Sequence, residues 1–289
     1  MNKAKVNVIV TCYNSERYLV ETLESVFAQN FTNFSLTAID DGSTDQTASI
    51  LKNCNSKVTV LRHKDRCNHG QSASLNLGIS RCDSEYIAFL DHDDTWHPDK
   101  LKRQVEVLDL CPEVGLVYTN GFVINGENRV LYPLLPVGHM EIGKAVDLLL
   151  DCYIRTPSMV MVRAKLLKKV GSFVEGIIAD QDMWLRIKEV SNFHYLNEKL
   201  TSYREHSGQI SSASRIRMWH DALLVLDRAL QRYPYPAWSR RKRLAVIKFR
   251  LGIGYWMMRA YPTALTHFLN SFSNDPIRAI RYAVQKGFR

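Results

Sequence analysis

The chain has little of what marks secreted, membrane-spanning or metal-cluster proteins. Its six cysteines (Cys12, Cys54, Cys67, Cys82, Cys111 and Cys152) form no C-x-x-C pair, and no His/Cys group has zinc spacing. No apolar run approaches the ~18–20 residues that a membrane-spanning helix needs. Met1-Asn2-Lys3-Ala4-Lys5 leads directly into a strand-like run with no visible signal peptide. These absences predict free thiols and a cytoplasmic protein. No G-x-G-x-x-G is present, which removes the dinucleotide fingerprint. The stretch from Gly138 to Lys144 has a P-loop frame, but Ala145 replaces the Ser/Thr that would hold Mg²⁺ and Pro133 and Pro136 interrupt the preceding run. Acidic residues are scarce toward the end of the chain. Residues 215–289 hold 15 Lys+Arg against 3 Asp+Glu, a net +12, while residues 1–214 hold 23 against 26, a net −3. This asymmetry predicts two regions, an acidic one typical of an enzyme and a basic one suited to an anionic partner.

The 289 residues are 46% hydrophobic, enough for a sizeable core in one large domain with an appendage or in two modest domains. Short apolar runs alternate with helical patterns. Val6–Val10, Ser35–Ile39, Lys57–Leu61, Tyr86–Leu90 and Gly115–Thr119 read as strands. Helical patterns open at Asn14–Glu16, at Ser43–Asp45, at Gln71 and at Leu101. Such alternation predicts βα units on a mostly parallel sheet, with ligands in the crevice at the strands' carboxyl ends. Thr11, Tyr13, Asn14, Asp40, Asp41 and the run Asp91 to Asp94 all fall just after strands and are expected to converge. Residues 120–146 read as loops and short strands, and the chain after residue 214 as helical throughout.

The run Leu90-Asp91-His92-Asp93-Asp94 places three carboxylates within four residues at the end of an apolar strand. Clustered carboxylates repel one another, and a hard divalent cation such as Mg²⁺ or Mn²⁺ relieves the repulsion, with a phosphate-bearing substrate as its usual companion. The alternative is a solvated acidic turn that caps the helix starting near Pro98.

Taken in order, Val8-Ile9-Val10-Thr11-Cys12-Tyr13-Asn14, Asp40-Asp41-Gly42-Ser43-Thr44-Asp45 and Asp91-His92-Asp93-Asp94 resemble the family 2 glycosyltransferases of GT-A fold. Gly171-Ser172-Phe173 followed by Asp180-Gln181-Asp182-Met183-Trp184-Leu185-Arg186 is similar to that family's G-x-F…E-D-x-D-L-W-L-R element. Tyr203-Arg204-Glu205-His206, with Ser211 beyond, is similar to its Y-R-x-H…S element. The resemblance covers about residues 5–214. It implies an α/β, Rossmann-like GT-A domain over 1–214, with 215–289 as a basic helical extension. It further implies inverting, metal-dependent transfer of a single sugar from a nucleotide sugar, with a UDP-sugar as donor. The acceptor would be a saccharide or a lipid-linked saccharide in polysaccharide or glycan assembly.

Carried over residue by residue, the resemblance makes Asp93 the first choice of ligand for Mn²⁺ or Mg²⁺ and Asp94 the alternative in its DXD-type motif. His206 completes the metal shell or contacts the diphosphate. Asp91 would hold the ribose hydroxyls, Arg204 the phosphate oxygens, Asp41 or else Asp40 the uracil, and Tyr13 would stack on the base. Thr11, Asn14 and Asn76 would line the donor site. Asp180 would be the base that takes the acceptor's proton. Asp182, about 200° further round a helix, would face elsewhere.

Two departures are visible. Ala179 replaces the Glu of the E-D pair, and Leu75 stands where the family often has Arg in Ala-Arg-Asn-x-Gly. The Q-x-x-R-W element of processive synthases is missing. The tail matches one tetratricopeptide-like frame through Leu251-Gly252, Tyr255, Ala264, Phe268 and Pro276, without the leading Trp. A helical hairpin is the simpler expectation. Its Arg content, with Trp219, Trp238 and Trp256, points to peripheral contact with an anionic membrane on the cytoplasmic face. No nucleic-acid module accompanies the charge. Two other readings are a sugar-nucleotide binder without transferase activity and a nucleotidyltransferase on a similar sheet. Asp180 discriminates, since neither needs a base beside the anomeric carbon.

Overall fold

The computed structural model describes residues 3–54, 58–141, 143–209 and 215–286. Ser211 and the expected boundary at residue 214 lie outside them. The described chain clusters into two compact units. The first comprises residues up to Gly143, Tyr153–Glu175 and Arg186–His206. The second comprises Lys144–Cys152, Gly176–Leu185 and the residues from Ser207 onward. Two short segments from the first 214 residues therefore cluster with the C-terminal helices.

The first unit is built on a nine-stranded sheet of β1 (Val6–Cys12), β2 (Phe34–Asp40), β3 (Val58–Arg62), β4 (Tyr86–Asp91), β5 (Thr95–Trp96), β6 (Val114–Asn125), β7 (Val130–Pro133), β8 (Val160–Arg163) and β9 (Asn192–Glu205). The strand order is β3-β2-β1-β4-β8-β6-β9-β5, with β7 paired to β6. β1 is buried at every position, as a central parallel strand covered on both faces must be. It pairs in parallel with β2 and β4 in a register that sets Cys12 beside Asp40 and Thr11 beside Asp91. The expected convergence at the carboxyl edge is thus fixed by backbone pairing. β8 runs antiparallel between β4 and β6, and the sheet is mixed at this point. β6 extends to Asn125, beyond the expected five residues, and pairs along its length with β9. Its register shifts beside Gly121, where any Cβ would overlap the Thr201 carbonyl oxygen.

Helices α1 (Leu19–Phe27), α2 (Thr47–Asn53), α3 (Gln71–Ser80), α4 (Lys100–Leu110) and α6 (Ala164–Val170) also belong to this unit. Leu19, Leu23 and Val26 of α1 pack into a core with Val8, Val10, Ala88, Leu90, Leu101 and Val105. The second unit holds α5 (Ala145–Leu150), the start of α7 (Ala179–Lys188), and α8 (Arg215–Arg232), α9 (Ala237–Met257), α10 (Tyr261–Asn274) and α11 (Pro276–Lys286). Gly252 of α9 lies against the Phe268 ring of α10, and Ala264 is fully buried, so the repeat-like positions do form a tight helical hairpin. Among the described residues no helix is long and apolar enough to cross a membrane.

Candidate active site

At the β1–β2 edge the polar side chains hold loops in place. Asn14 adopts a left-handed backbone (φ 48°). Its Oδ1 accepts the Thr44 N–H at 2.8 Å, and its own N–H donates to Ser43 Oγ at 3.1 Å. Asp40 accepts the Ser43 N–H and the Arg62 Nε–H, the latter at 2.9 Å. Asp41 accepts two successive backbone N–H groups, from His69 at 2.9 Å and Gly70 at 2.8 Å. This clamp draws the 66–70 loop close to Gly42. A Cβ on Gly42 would lie 2.7 Å from the Arg66 carbonyl oxygen, and its φ of +76° suits glycine. Both carboxylates are buried and committed to these loop contacts. Thr11 is buried beside them, and Tyr13 is the large exposed side chain of this edge.

The acidic turn after β4 sorts its three carboxylates. Asp94 is 0% exposed. Its Oδ1 accepts the Arg204 backbone N–H at 2.9 Å, and its Oδ2 lies 3.0 Å from Thr156 Oγ1. Asp91 Oδ2 lies 2.8 Å from the same hydroxyl, which also accepts the Ser158 N–H, and Asp91 Oδ1 accepts from Gln71 Nε2. One hydroxyl carries one proton and cannot donate to both carboxylates. Burial, with the charges of Asp93 and Asp91, pushes Asp94 well above the ordinary carboxylate range. A proton held on Asp94 would complete the second contact, with every lone pair and hydrogen of Thr156 Oγ1 then used. Asp91 is pushed up to about 6, by burial and then by the Asp93 charge.

Asp93 behaves oppositely. Burial alone would raise it, but the His206 hydrogen bond and the neighbouring His92 and His206 charges hold it below the usual range. Asp93 Oδ2 and His206 Nε2 lie 2.9 Å apart at the margin of the turn. Among the described residues no group of three or more His, Cys, Asp or Glu is arranged around a metal position. A carboxylate and an imidazole side by side still form a donor set that suits a cation completed by substrate phosphates, which is how Mg²⁺-like ions are commonly held. Asp94 differs from that expectation. Both of its oxygens are turned into protein hydrogen bonds, and its buried position gives a cation no access.

Arg204 also differs from its expected part in holding phosphate. It is 0% exposed, with its guanidinium stacked 4.5 Å from the Tyr18 ring. Its Nε donates to the Asp93 carbonyl oxygen at 2.7 Å, and the remaining nitrogens donate to Asn125, Asn128 and Glu21. Arg204 thus braces the acidic turn from behind and does not face a ligand. Asn76 is similarly committed: its amide donates to the Phe173 carbonyl and accepts the Phe173 N–H, at 2.9 and 2.8 Å. It ties α3 to the Gly171-Ser172-Phe173 segment, with both ends of its amide used in these two bonds. Leu75 is buried, so the departure at this position fills core.

Asp180 lies in the second unit, in the first turn of α7. It is half-buried, whereas Asp182 is almost fully enclosed, so the two do face different surroundings. The segment leading into α7 is held from α8: Asp221 Oδ2 accepts the Ile177 N–H at 2.8 Å, and Arg232 approaches Asp182 at 3.9 Å. Sequence reading missed Thr156, Ser158, Tyr18, Glu21 and Asp221. All lie between motifs, and single polar residues there carry no spacing signal.

A mixed, mostly parallel sheet with its acidic turn at the carboxyl edge of β4 is the GT-A architecture. The match to a family model extends this: residues 7–171, more than half of the chain, fit the model described as glycosyl transferase family 2. The chain belongs to that family. An uncharacterized glycosyltransferase of Rickettsia typhi is 27% identical over 220 residues, covering 72% of this chain and 66% of that protein. The chain matches only 35% of the length of a longer Rickettsia felis relative. Among solved structures, S. aureus TarS 1-349 in complex with UDP-GlcNAc superposes with a TM-score of 0.72 at 20% identity, over 98% of this chain and 88% of that one. The mannosyltransferase PcManGT of Pyrobaculum calidifontis, in complex with GDP-Man and Mn²⁺, gives 0.62 at 18% identity over 100% and 83%.

Proposed function

We propose that the protein is a metal-dependent inverting glycosyltransferase. It moves a single sugar from a nucleotide sugar, with a UDP-sugar as donor, to a hydroxyl of a saccharide or lipid-linked saccharide. The observation that carries this reading is the Asp93–His206 pair at the carboxyl edge, whose side chains keep 11% and 17% exposure, set apart from the fully enclosed Asp94. Family membership and two fold neighbours solved with sugar nucleotides support it. Asp93 and His206 are the residues that would hold Mn²⁺ or Mg²⁺, whose charge favours departure of the diphosphate. Asp91 offers a carboxylate to the ribose hydroxyls, and Tyr13 an exposed ring to the base. Asp40, Asp41, Thr11 and Asn14 shape the wall against which the base rests.

Asp180 acts as base. The acceptor oxygen forms its bond to the anomeric carbon, the bond from that carbon to the diphosphate breaks with its electron pair, and the hydroxyl proton passes to the Asp180 carboxylate. The nucleoside diphosphate and the inverted glycoside are the products.

A panel of sugar nucleotides with Mn²⁺, read by thermal shift and then by product analysis, tests the reading. UDP release from a stabilising donor is the expected result. Release of UMP or pyrophosphate would instead identify a nucleotidyltransferase, and stabilisation without turnover a binder. Asp180→Asn is expected to keep donor binding and to lose at least ~100-fold in turnover, the scale of general-base catalysis. Full activity in that variant removes Asp180 from the mechanism.

A further inference from the structure

Two consecutive helices of the second unit turn their apolar stripes outward. α10 contains no charged side chain. Its Ala264 and Ser271 face inward, with Ser271 Oγ donating to the Ala245 carbonyl at 2.7 Å. Its Leu265, Leu269 and Phe272 are 58%, 63% and 40% exposed. α11 is inverted relative to a helix on a water-facing surface. Arg278 and Tyr282, one turn apart, point inward to Asp151, with Arg278 Nη2 at 2.6 Å from its carboxylate. Ile277, Ile280 and Val284, at i, i+3 and i+7, are 71%, 53% and 80% exposed. A helix solvated on its outer face carries polar residues there and apolar ones inside. Aligned exposed apolar side chains of this kind mark an interaction surface.

The charge around these stripes has one sign. Arg259 at the turn before α10 and Arg281 on α11 are exposed, and Asp275 is the single acid between residues 259 and 289. Residues 215–289 carry a net +12. A second copy of this surface would set cations against cations. An apolar interior edged with negative charge complements it, and an anionic bilayer has that structure.

We propose that α10 and α11 dock on an anionic lipid bilayer, with their exposed aliphatic and aromatic side chains at the acyl boundary and the arginines among the headgroups. Of the tryptophans, Trp219 is half-buried beside Arg250, whereas Trp238 and Trp256 are each 46% exposed, with Trp256 packed on Tyr261 at 4.9 Å. The docking is independent of the donor chemistry, so its test stands apart from that of the transferase reading.

The full chain is sedimented with phosphatidylcholine vesicles, with and without phosphatidylglycerol, at low and high salt. Binding is expected to require phosphatidylglycerol and to weaken with salt. The triple variant I277S/I280S/V284S is expected to bind at least ~10-fold more weakly, and L265S/L269S/F272S to do the same. All six positions are exposed, so thermal unfolding should remain near the wild-type midpoint. Absence of binding to the anionic vesicles overturns the proposal, as does unchanged binding by both variants. A wild-type dimer that the variants convert to monomer, seen by sedimentation velocity, also overturns it in favour of a second copy.

Discussion

Asp94 and Asp91 share the Thr156 hydroxyl, and the proton that this sharing requires has a measurable signature. A carboxyl whose folded-state pKa is raised binds more protons folded than unfolded. Its contribution to stability is present below the ordinary aspartate value and is lost as pH rises through the folded value. Asp94 and Asp91 both act in this direction, Asp91 over the interval up to about 6. Asn at position 94 reproduces the protonated acid, with its amide donating to Thr156 and its oxygen accepting the Arg204 N–H. Asp94→Asn is therefore expected to raise the thermal midpoint of the ligand-free protein at pH 7.5 and to flatten its fall between pH 4 and 7.5. Unfolding monitored across that range in EDTA checks this, and an unchanged slope refutes the assignment. The cluster was legible in the sequence as three carboxylates. The division of labour within it was not, because the deciding contacts come from Thr156 and Arg204, far away in the chain.

At the scale of the element, α4 shows a polar group kept at a cost. Lys100 is fully buried, its Nζ 2.7 Å from Gln104 Oε1 and 4.0 Å from the centre of the Trp96 ring. Burial holds its pKa well below the ordinary lysine value. The unfolded chain then binds the extra proton, so the penalty is present at neutral pH and disappears as pH rises toward ~10.4, the unperturbed lysine value. Lys100→Met fills nearly the same volume without the amine. It is expected to raise stability at pH 7 by ~1 kcal/mol or more, with the gain over wild type shrinking toward pH 10. Denaturant unfolding at the two pH values measures the difference, and a constant gain would reject the cause. The strands that alternate with helices up to residue 119 were readable from their apolar runs. β8 was not, since Val160–Arg163 is four residues long and looks like the lead-in to α6. The length of β6 also escaped, because its second half carries Asn120, Gly121 and Asn125 in a strand whose register against β9 shifts at Asn120 and Gly121.

For the whole molecule, the C-terminal helices do more than extend the domain. Arg243 donates to the Leu150 carbonyl at 2.9 Å, Arg278 pairs with Asp151, and Asp221 holds the lead-in to α7. The two segments that cluster with these helices are residues 144–152 and 176–185, the second bearing Asp180. A chain ending at residue 214 is expected to lose these anchors and to be cleaved rapidly within both segments in limited proteolysis. Its turnover should fall to that of Asp180→Asn. A truncated chain with wild-type turnover and protease resistance would show that the helices are dispensable. The charge step near residue 214 correctly marked a change of character along the chain, but composition says nothing about distant segments that fold back onto a later region. The placement of β8 has a consequence for birth on the ribosome. β4 and β6 both leave the exit tunnel before the strand that separates them, and Val160 follows Asp91 by 69 residues. At ~5–20 residues per second, that leaves the inner edge of β4 without its neighbour for about 3–14 s. During this interval the nascent chain presents an apolar edge, Tyr86 to Leu90, to any other strand that can pair with it.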